Sequence, residues 1–270
     1  MRLPLAVALC AVIGLPLQAQ DSPLVSLQTG DDSRAWQAVG RLNLGVRGFC
    51  TATLIAPDLV LTAAHCLFDK DTGARLDSAD MEFLAGWRTG RAEAYRGIRR
   101  AVAHPDYVYS GLDSLDRVAF DLALLELDQP IRLPSIIPFE TDAQPRTGDA
   151  VGVVSYAQDR ADAPSLQEVC HVLDHKPDVL VLNCDVDFGS SGAPIFAIRG
   201  GVARIVSVVS AKAEVDGTQV ALGTTLEGPL VALRAELAAG ATSSQTAGPR
   251  VRLLSGGTAK GAKFIKPPTN

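Results

Sequence analysis

Three short segments hold side chains that can work as one reactive unit. The first ends an apolar stretch as Thr62-Ala63-Ala64-His65-Cys66. A histidine fixed at a strand end can stay within hydrogen-bond reach of a nucleophile, as a general base must. In the second, Asp121 opens the apolar run Leu122–Leu127. A carboxylate drawn into apolar surroundings needs a partner, and a histidine N–H would satisfy it while fixing the ring tautomer. The third, Asp187-Phe188-Gly189-Ser190-Ser191-Gly192-Ala193-Pro194, sets Ser191 in a tight turn of small residues. Such a turn leaves amides free, and the N–H groups of Gly189 and Ser191 then suit an oxyanion hole, where one donor can contribute roughly 3 kcal/mol to the transition state. Alone, each segment has an ordinary alternative: a structural histidine, a turn aspartate, a glycine loop. Together they supply a base, its orienting acid and a nucleophile for acyl transfer, with no cofactor and no metal.

Elements must hold these groups. The chain has 270 residues, and Gly, Pro and Asp break it into short apolar runs. Strands are expected near 37–45, 50–55, 59–62, 81–87, 97–103 and 122–127. A second set is expected near 150–156, 166–173, 179–183, 194–198, 202–209 and 219–225. Between them Pro130, Pro134, Pro138 and Pro145 mark an extended connector. Two sets of about six short strands imply an all-β chain of two barrels or sandwiches. The best helix candidate is 229–239, with Leu226, Leu230, Leu233 and Leu237 on one face and Gly240 as the stop. Beyond it, residues 241–270 read as a flexible basic tail, with Arg250, Arg252, Lys260, Lys263 and Lys266 and no acid.

Composition narrows the function classes. With 47% hydrophobic residues and a net charge of −5, the chain is neither disordered nor suited to nucleic acid as its main partner. No apolar run reaches the roughly 18 residues of a membrane span. Residues 1–20 combine Arg2, an apolar run from Leu5 to Leu15 and a short end containing Ala19, the layout of a secretory signal peptide. The protein is therefore expected to be secreted or periplasmic. Export leaves Cys50, Cys66, Cys170 and Cys184, an even count that implies disulfides. Of three possible pairings the sequence-local one, Cys50–Cys66 with Cys170–Cys184, is expected. Their spacings are not those of a zinc site, and His171 with His175 lacks a third ligand.

The Thr-Ala-Ala-His-Cys, Asp-Leu-Ala-Leu-Leu and Gly-x-Ser-Gly-x-Pro motifs, in this order, resemble those of the chymotrypsin-like (trypsin-like) serine peptidases, above all their bacterial secreted branch. The resemblance covers about residues 36–238. It implies a chymotrypsin-like double β-barrel with a C-terminal helix: barrel one about 36–130, connector about 131–148, barrel two and helix about 149–240. It implies a secreted serine endopeptidase acting on protein or peptide substrates, as a monomer, with His65, Asp121 and Ser191 as the triad. It matches Cys50–Cys66 to the bridge that braces the histidine loop. It likens 205–209 to the strand that pairs with bound substrate, with Ser207 at its polar position.

Departures from the family sharpen other expectations. Ser190 stands where many members carry the Asp that binds a freed N-terminal amine, and an apolar-apolar-Gly-Gly start is absent at 35–40. The site is thus expected to form without that ion pair, although 21–34, ending in Arg34, could be a short propeptide. Asp185, six residues before Ser191, stands where trypsin-like members hold a pocket Asp, and implies a preference for Arg or Lys. Asp187 replaces the cysteine that usually walls that pocket. A preference for Glu is less expected, because Val206 stands where a histidine would precede Ser207. The alternatives are an inactive pseudo-peptidase that serves as a binding protein, and an esterase or acyltransferase on the same triad. The latter lacks its Gly-x-Ser-x-Gly elbow and alternating helices.

Overall fold

The structure is a computed structural model that describes residues 21–109, 115–215 and 217–246. The signal-peptide expectation and most of the basic-tail expectation fall outside those residues. In the first half, short apolar runs between turn residues pair as antiparallel neighbours. The strands are β1 (Leu24–Ser26), β2 (Val39–Leu44), β3 (Phe49–Ala56), β4 (Leu59–Thr62), β5 (Met81–Ala85), β6 (Ala94–Ala103) and β7 (Ala123–Leu127). Strands β2-β3-β4-β7-β6-β5 close into a barrel. Its interior is filled by Leu42, Leu54, Val60, Phe83, Leu125 and Leu127, all buried.

The second half adds β8 (Ala150–Ala157), β9 (Arg160–Lys176), β10 (Val179–Leu182), β11 (Pro194–Arg199), β12 (Val202–Val215) and β13 (Thr218–Thr225). Their order is β1-β9-β10-β13-β12-β11-β8. Because β8 pairs with β9 as well as with β11, β8 to β13 return on themselves as a second ring. The two halves share a core. Leu59, Leu61, Leu122 and Leu124 from the first pack with Tyr156, Phe196, Ile205 and Val208 from the second and with Leu226, Leu230 and Leu233 from the terminal helix. Trp36, Phe139 and Phe196 meet in that core with ring centroids 4.7–5.9 Å apart.

Several elements differ from the sequence expectation. Strand β1 lies in a segment expected to be irregular. It pairs with β9, Leu24 facing Gln167 and Ser26 facing Ser165. Ahead of it, Asp21 accepts from Asn183 Nδ2 at 2.7 Å and lies 2.7 Å from His171 Nδ1. Three residues are too few to show a period, and polar Asp21 works through those bonds, not through burial. Strands β9 and β12 run beyond their apolar centres. Their exposed ends form hairpins whose polar side chains hide the alternation. Helix α1 (Leu115–Ala119) precedes β7, and α2 (Glu227–Thr246) continues through Gly240 to Thr246. Gly240 does not end the helix, and six residues assigned to the tail are helical. A mid-helix glycine costs only about 1 kcal/mol against Ala, and alanines surround it. Gly240 also lacks the left-handed backbone that a helix-ending glycine adopts.

Both local disulfides are formed, Cys50–Cys66 and Cys170–Cys184. The second ties β9 to the start of the loop that carries Ser191. A loop of about 15 residues closed this way stabilises by about 3 kcal/mol. The double substitution Cys170→Ala with Cys184→Ala should lower the melting temperature by roughly 10 °C, at 2–4 °C per kcal/mol for a domain of this size. Thermal unfolding followed by circular dichroism measures this.

Candidate active site

Strand register brings the histidine and the aspartate together. β4 and β7 run antiparallel with Thr62 opposite Ala123. Continuing past the strand ends sets residues 64 and 65 beside 121. The chain after β4 tightens into a 3-10 turn, Ala64–Leu67, tied by Cys66 to β3. Its bend lets both the backbone and the ring of His65 address one carboxylate. His65 N–H donates to Asp121 Oδ1 at 2.8 Å, and His65 Nδ1 lies 2.7 Å from Asp121 Oδ2. Asp121 is 1% exposed. Burial alone would push its carboxyl up, but the His65 charge and hydrogen bonds from His65 and Ser210 hold it below the usual carboxylate range.

Ser191 follows a loop braced against barrel one. Thr51 N–H donates to Ser191 O at 2.9 Å, and the Thr51 hydroxyl donates to Gly189 O at 2.8 Å while accepting from Tyr156 N–H. Thr62 in turn donates to Thr51 O at 2.9 Å. The loop needs its glycines. A Cβ on Gly192, at φ +80°, would sit 2.1 Å from Thr62 Oγ1 and 2.3 Å from Thr51 O. Gly189, at φ +99°, packs on the Phe49 ring. Among the described residues, neither the Gly189 nor the Ser191 amide donates a hydrogen bond. His65, Gly189 and Ser191 share a cleft of about 400 Å³, rimmed by Phe49, Gln158 and the exposed ring of Phe188. A carbonyl entering it would meet a hydroxyl, an imidazole and two free N–H donors.

The substrate-side residues are arranged differently from the sequence reading. Ser207 is fully buried, and its hydroxyl donates to Thr224 O at 2.8 Å across the β12–β13 pair. Ser210, three residues on, is the serine of β12 that reaches the site: its hydroxyl donates to Asp121 Oδ2. The shared Val-Ser dipeptides make the two serines alike in sequence, and only register separates them. Asp185 is exposed, its N–H held by Gln167 Oε1 at 2.7 Å, and it does not line the cleft with His65 and Ser191. Asp187 caps the loop by accepting from Phe188 N–H at 2.8 Å. Thr51 was also missed, since nothing local distinguishes a buried strand threonine that spans two barrels. A Ser210→Ala change should lower kcat about tenfold with little change in KM. A hydrogen bond to a charged group contributes about 1.5–3 kcal/mol, and each 1.4 kcal/mol is a factor of ten. Steady-state kinetics on a peptide substrate reads both.

Comparison with known proteins gives three results. The family described as "Trypsin-like peptidase domain" matches residues 50–203, a span that holds His65, Asp121 and Ser191. Among curated proteins, Transmembrane protease serine 9 of Rattus norvegicus is 35% identical over 96 residues, 36% of this chain and 8% of its own. Vitamin K-dependent protein C of Rattus norvegicus is 35% identical over 103 residues, 38% of this chain and 20% of its own. The chain thus spans a small part of these relatives. Among solved structures, a Glu endopeptidase in complex with MPD aligns over 82% of this chain and all of its own, at TM-score 0.64 and 18% identity. At that identity the likeness speaks for the fold, a chymotrypsin-like pair of β-sheets with a C-terminal helix.

Proposed function

The chain belongs to the trypsin-like peptidase family, and from that premise we propose that it is a serine endopeptidase cleaving peptide bonds through an acyl-enzyme. One observation carries this reading: His65, paired with the buried Asp121 carboxylate, opens into the same cleft as Ser191 and two unused amides. In the reaction, Asp121 accepts from His65 Nδ1–H, which leaves Nε2 as the base. Ser191 Oγ attacks the carbonyl carbon and gives its proton to His65. The oxyanion forms against the Gly189 and Ser191 amides. His65 passes the proton to the leaving amine, and water repeats the sequence on the acyl-enzyme.

A serine-directed phosphonate tests this on the chain from residue 21 onward. The reading expects a mass increase at Ser191 and cleavage of a mixed peptide library. No adduct and no cleavage would favour the pseudo-peptidase. An adduct with ester but no peptide turnover would favour an esterase.

For specificity, we propose an Arg or Lys preference carried by Asp185, whose exposed carboxylate stands outside the cleft of His65 and Ser191 and would attract a basic side chain through space. Arg160 is close enough to interact electrostatically with that carboxylate and offsets part of its attraction. The expected preference over an apolar side chain is therefore about tenfold, the equivalent of about 1.4 kcal/mol. Peptides that differ only at the cleaved residue measure it; a preference for Leu or Phe would refute the assignment. We also propose export, in keeping with two disulfides in a short chain. Residues from Asp21 are proposed to stay with the domain, because β1 is hydrogen-bonded to β9.

A further inference from the structure

The loop before the nucleophile is tethered residue by residue. Phe188 O accepts from Gln158 N–H at 2.8 Å, Gly189 O from the Thr51 hydroxyl at 2.8 Å, and Ser191 O from Thr51 N–H at 2.9 Å. The fourth tether is charged. Arg160 Nη2 donates to Ser190 Oγ at 3.3 Å, and Nη1 donates to Ser155 O at 2.8 Å and Ser155 Oγ at 3.1 Å. Ser190 is fully buried; its hydroxyl donates to Tyr156 O at 3.3 Å and accepts from Asp187 N–H at 3.2 Å. The Arg160 side chain is only 13% exposed. A guanidinium stays charged and is costly to bury, so its position calls for a compensating role. Among the described residues no carboxylate comes nearer to it than Asp159, 3.9 Å away, and Asp185 and Asp187 act only through space.

We propose that Arg160 is a positioning residue for the oxyanion hole: its planar fork bridges the end of β8 to Ser190 and so fixes the peptides that aim the Gly189 and Ser191 amides. The guanidinium geometry matters as well as the charge. One nitrogen spans Ser155 while the other reaches Ser190, which a lysine ammonium on its flexible stem cannot do with the same rigidity. The role rests on the endopeptidase reading above. It explains how the loop is held although Ser190 carries no charge.

The test compares the parent protein with Arg160→Met, Arg160→Lys, Ser190→Ala and the Arg160→Met/Ser190→Ala double variant. The readouts are kcat and KM on one cleaved peptide, with melting temperature alongside. Misplacing an oxyanion donor costs about 10²-fold in kcat. Arg160→Met is expected to lose about that factor with KM nearly unchanged, and Arg160→Lys to recover only part of it. The double variant should be no slower than the worse single, because both changes cut one link. Methylguanidinium added to the Met variant should restore part of kcat. Full activity in Arg160→Met, or independent multiplicative losses in the double variant, would overturn the proposal. If Arg160→Met does not fold, Arg160→Lys and Ser190→Ala decide it: parent-like kcat in both overturns it. An inactive, unlabelled parent would instead refute the endopeptidase reading, so the two failures are distinguishable.

Discussion

Replacing Ser191 with Ala is expected to reduce kcat by about 10⁶-fold, the scale seen when a triad nucleophile is removed. KM should stay within about threefold of the parent. Deleting one hydroxyl leaves the cleft walls, the Asp121–His65 pair and both amides in place. What remains is a site that can bind a peptide and polarise its carbonyl but must recruit water as the attacking group, typically leaving about 10³-fold over the uncatalysed reaction. The melting temperature should not fall, since Ser191 anchors the loop through its carbonyl to Thr51, a bond the substitution keeps. Active-site titration, peptide kinetics and intact-mass analysis after phosphonate treatment read the three consequences. A variant that keeps more than a hundredth of the parent rate would show that another group attacks, and would end the assignment of Ser191.

Local pattern carried much of this architecture. Leu59–Thr62 and Leu122–Leu127 are short apolar runs with turn residues beside them, and they became adjacent strands of one barrel. Cysteine spacing likewise matched the bridges formed. What the pattern could not carry was register and long-range contact. Ser207 and Ser210 differ by three places on one strand, and the pairing of β12 with its neighbours decides which faces Asp121. Thr51 sits 140 residues from Ser191 and Arg160 sits 30 residues from Ser190, in segments with no motif. Their importance lies in carbonyls and hydroxyls they meet only after both halves have folded. Asp21 and β1 are of the same kind. They act through backbone and side-chain hydrogen bonds, which leave no hydrophobic period to read.

Asp121→Asn is expected to reduce kcat by about 10⁴-fold while leaving the fold intact. Asn is nearly isosteric, and its carbonyl oxygen can still accept from the Ser210 hydroxyl or from His65 N–H. Its NH2, however, is a donor. Turned toward His65 Nδ1, it makes that nitrogen the acceptor and moves the ring proton to Nε2, where the base must be bare to take the Ser191 proton. The same substitution predicts a change in acid sensitivity. The Asp121 carboxyl is held below its ordinary value of 3.8 in the folded protein. Below that value the unfolded chain binds the proton more readily than the folded one, so stability rises with pH across the window. The contribution of Asp121 is therefore complete above about pH 4 and is lost as pH falls from there through the lower folded value. Asn has no such proton to bind. Urea unfolding at pH 7 should find the parent more stable than Asp121→Asn, and the gap should shrink between pH 4 and pH 3. A gap that widens on acidification would mean the carboxyl is not held low by His65 and Ser210. The tautomer argument for the lost rate would then lose its structural basis.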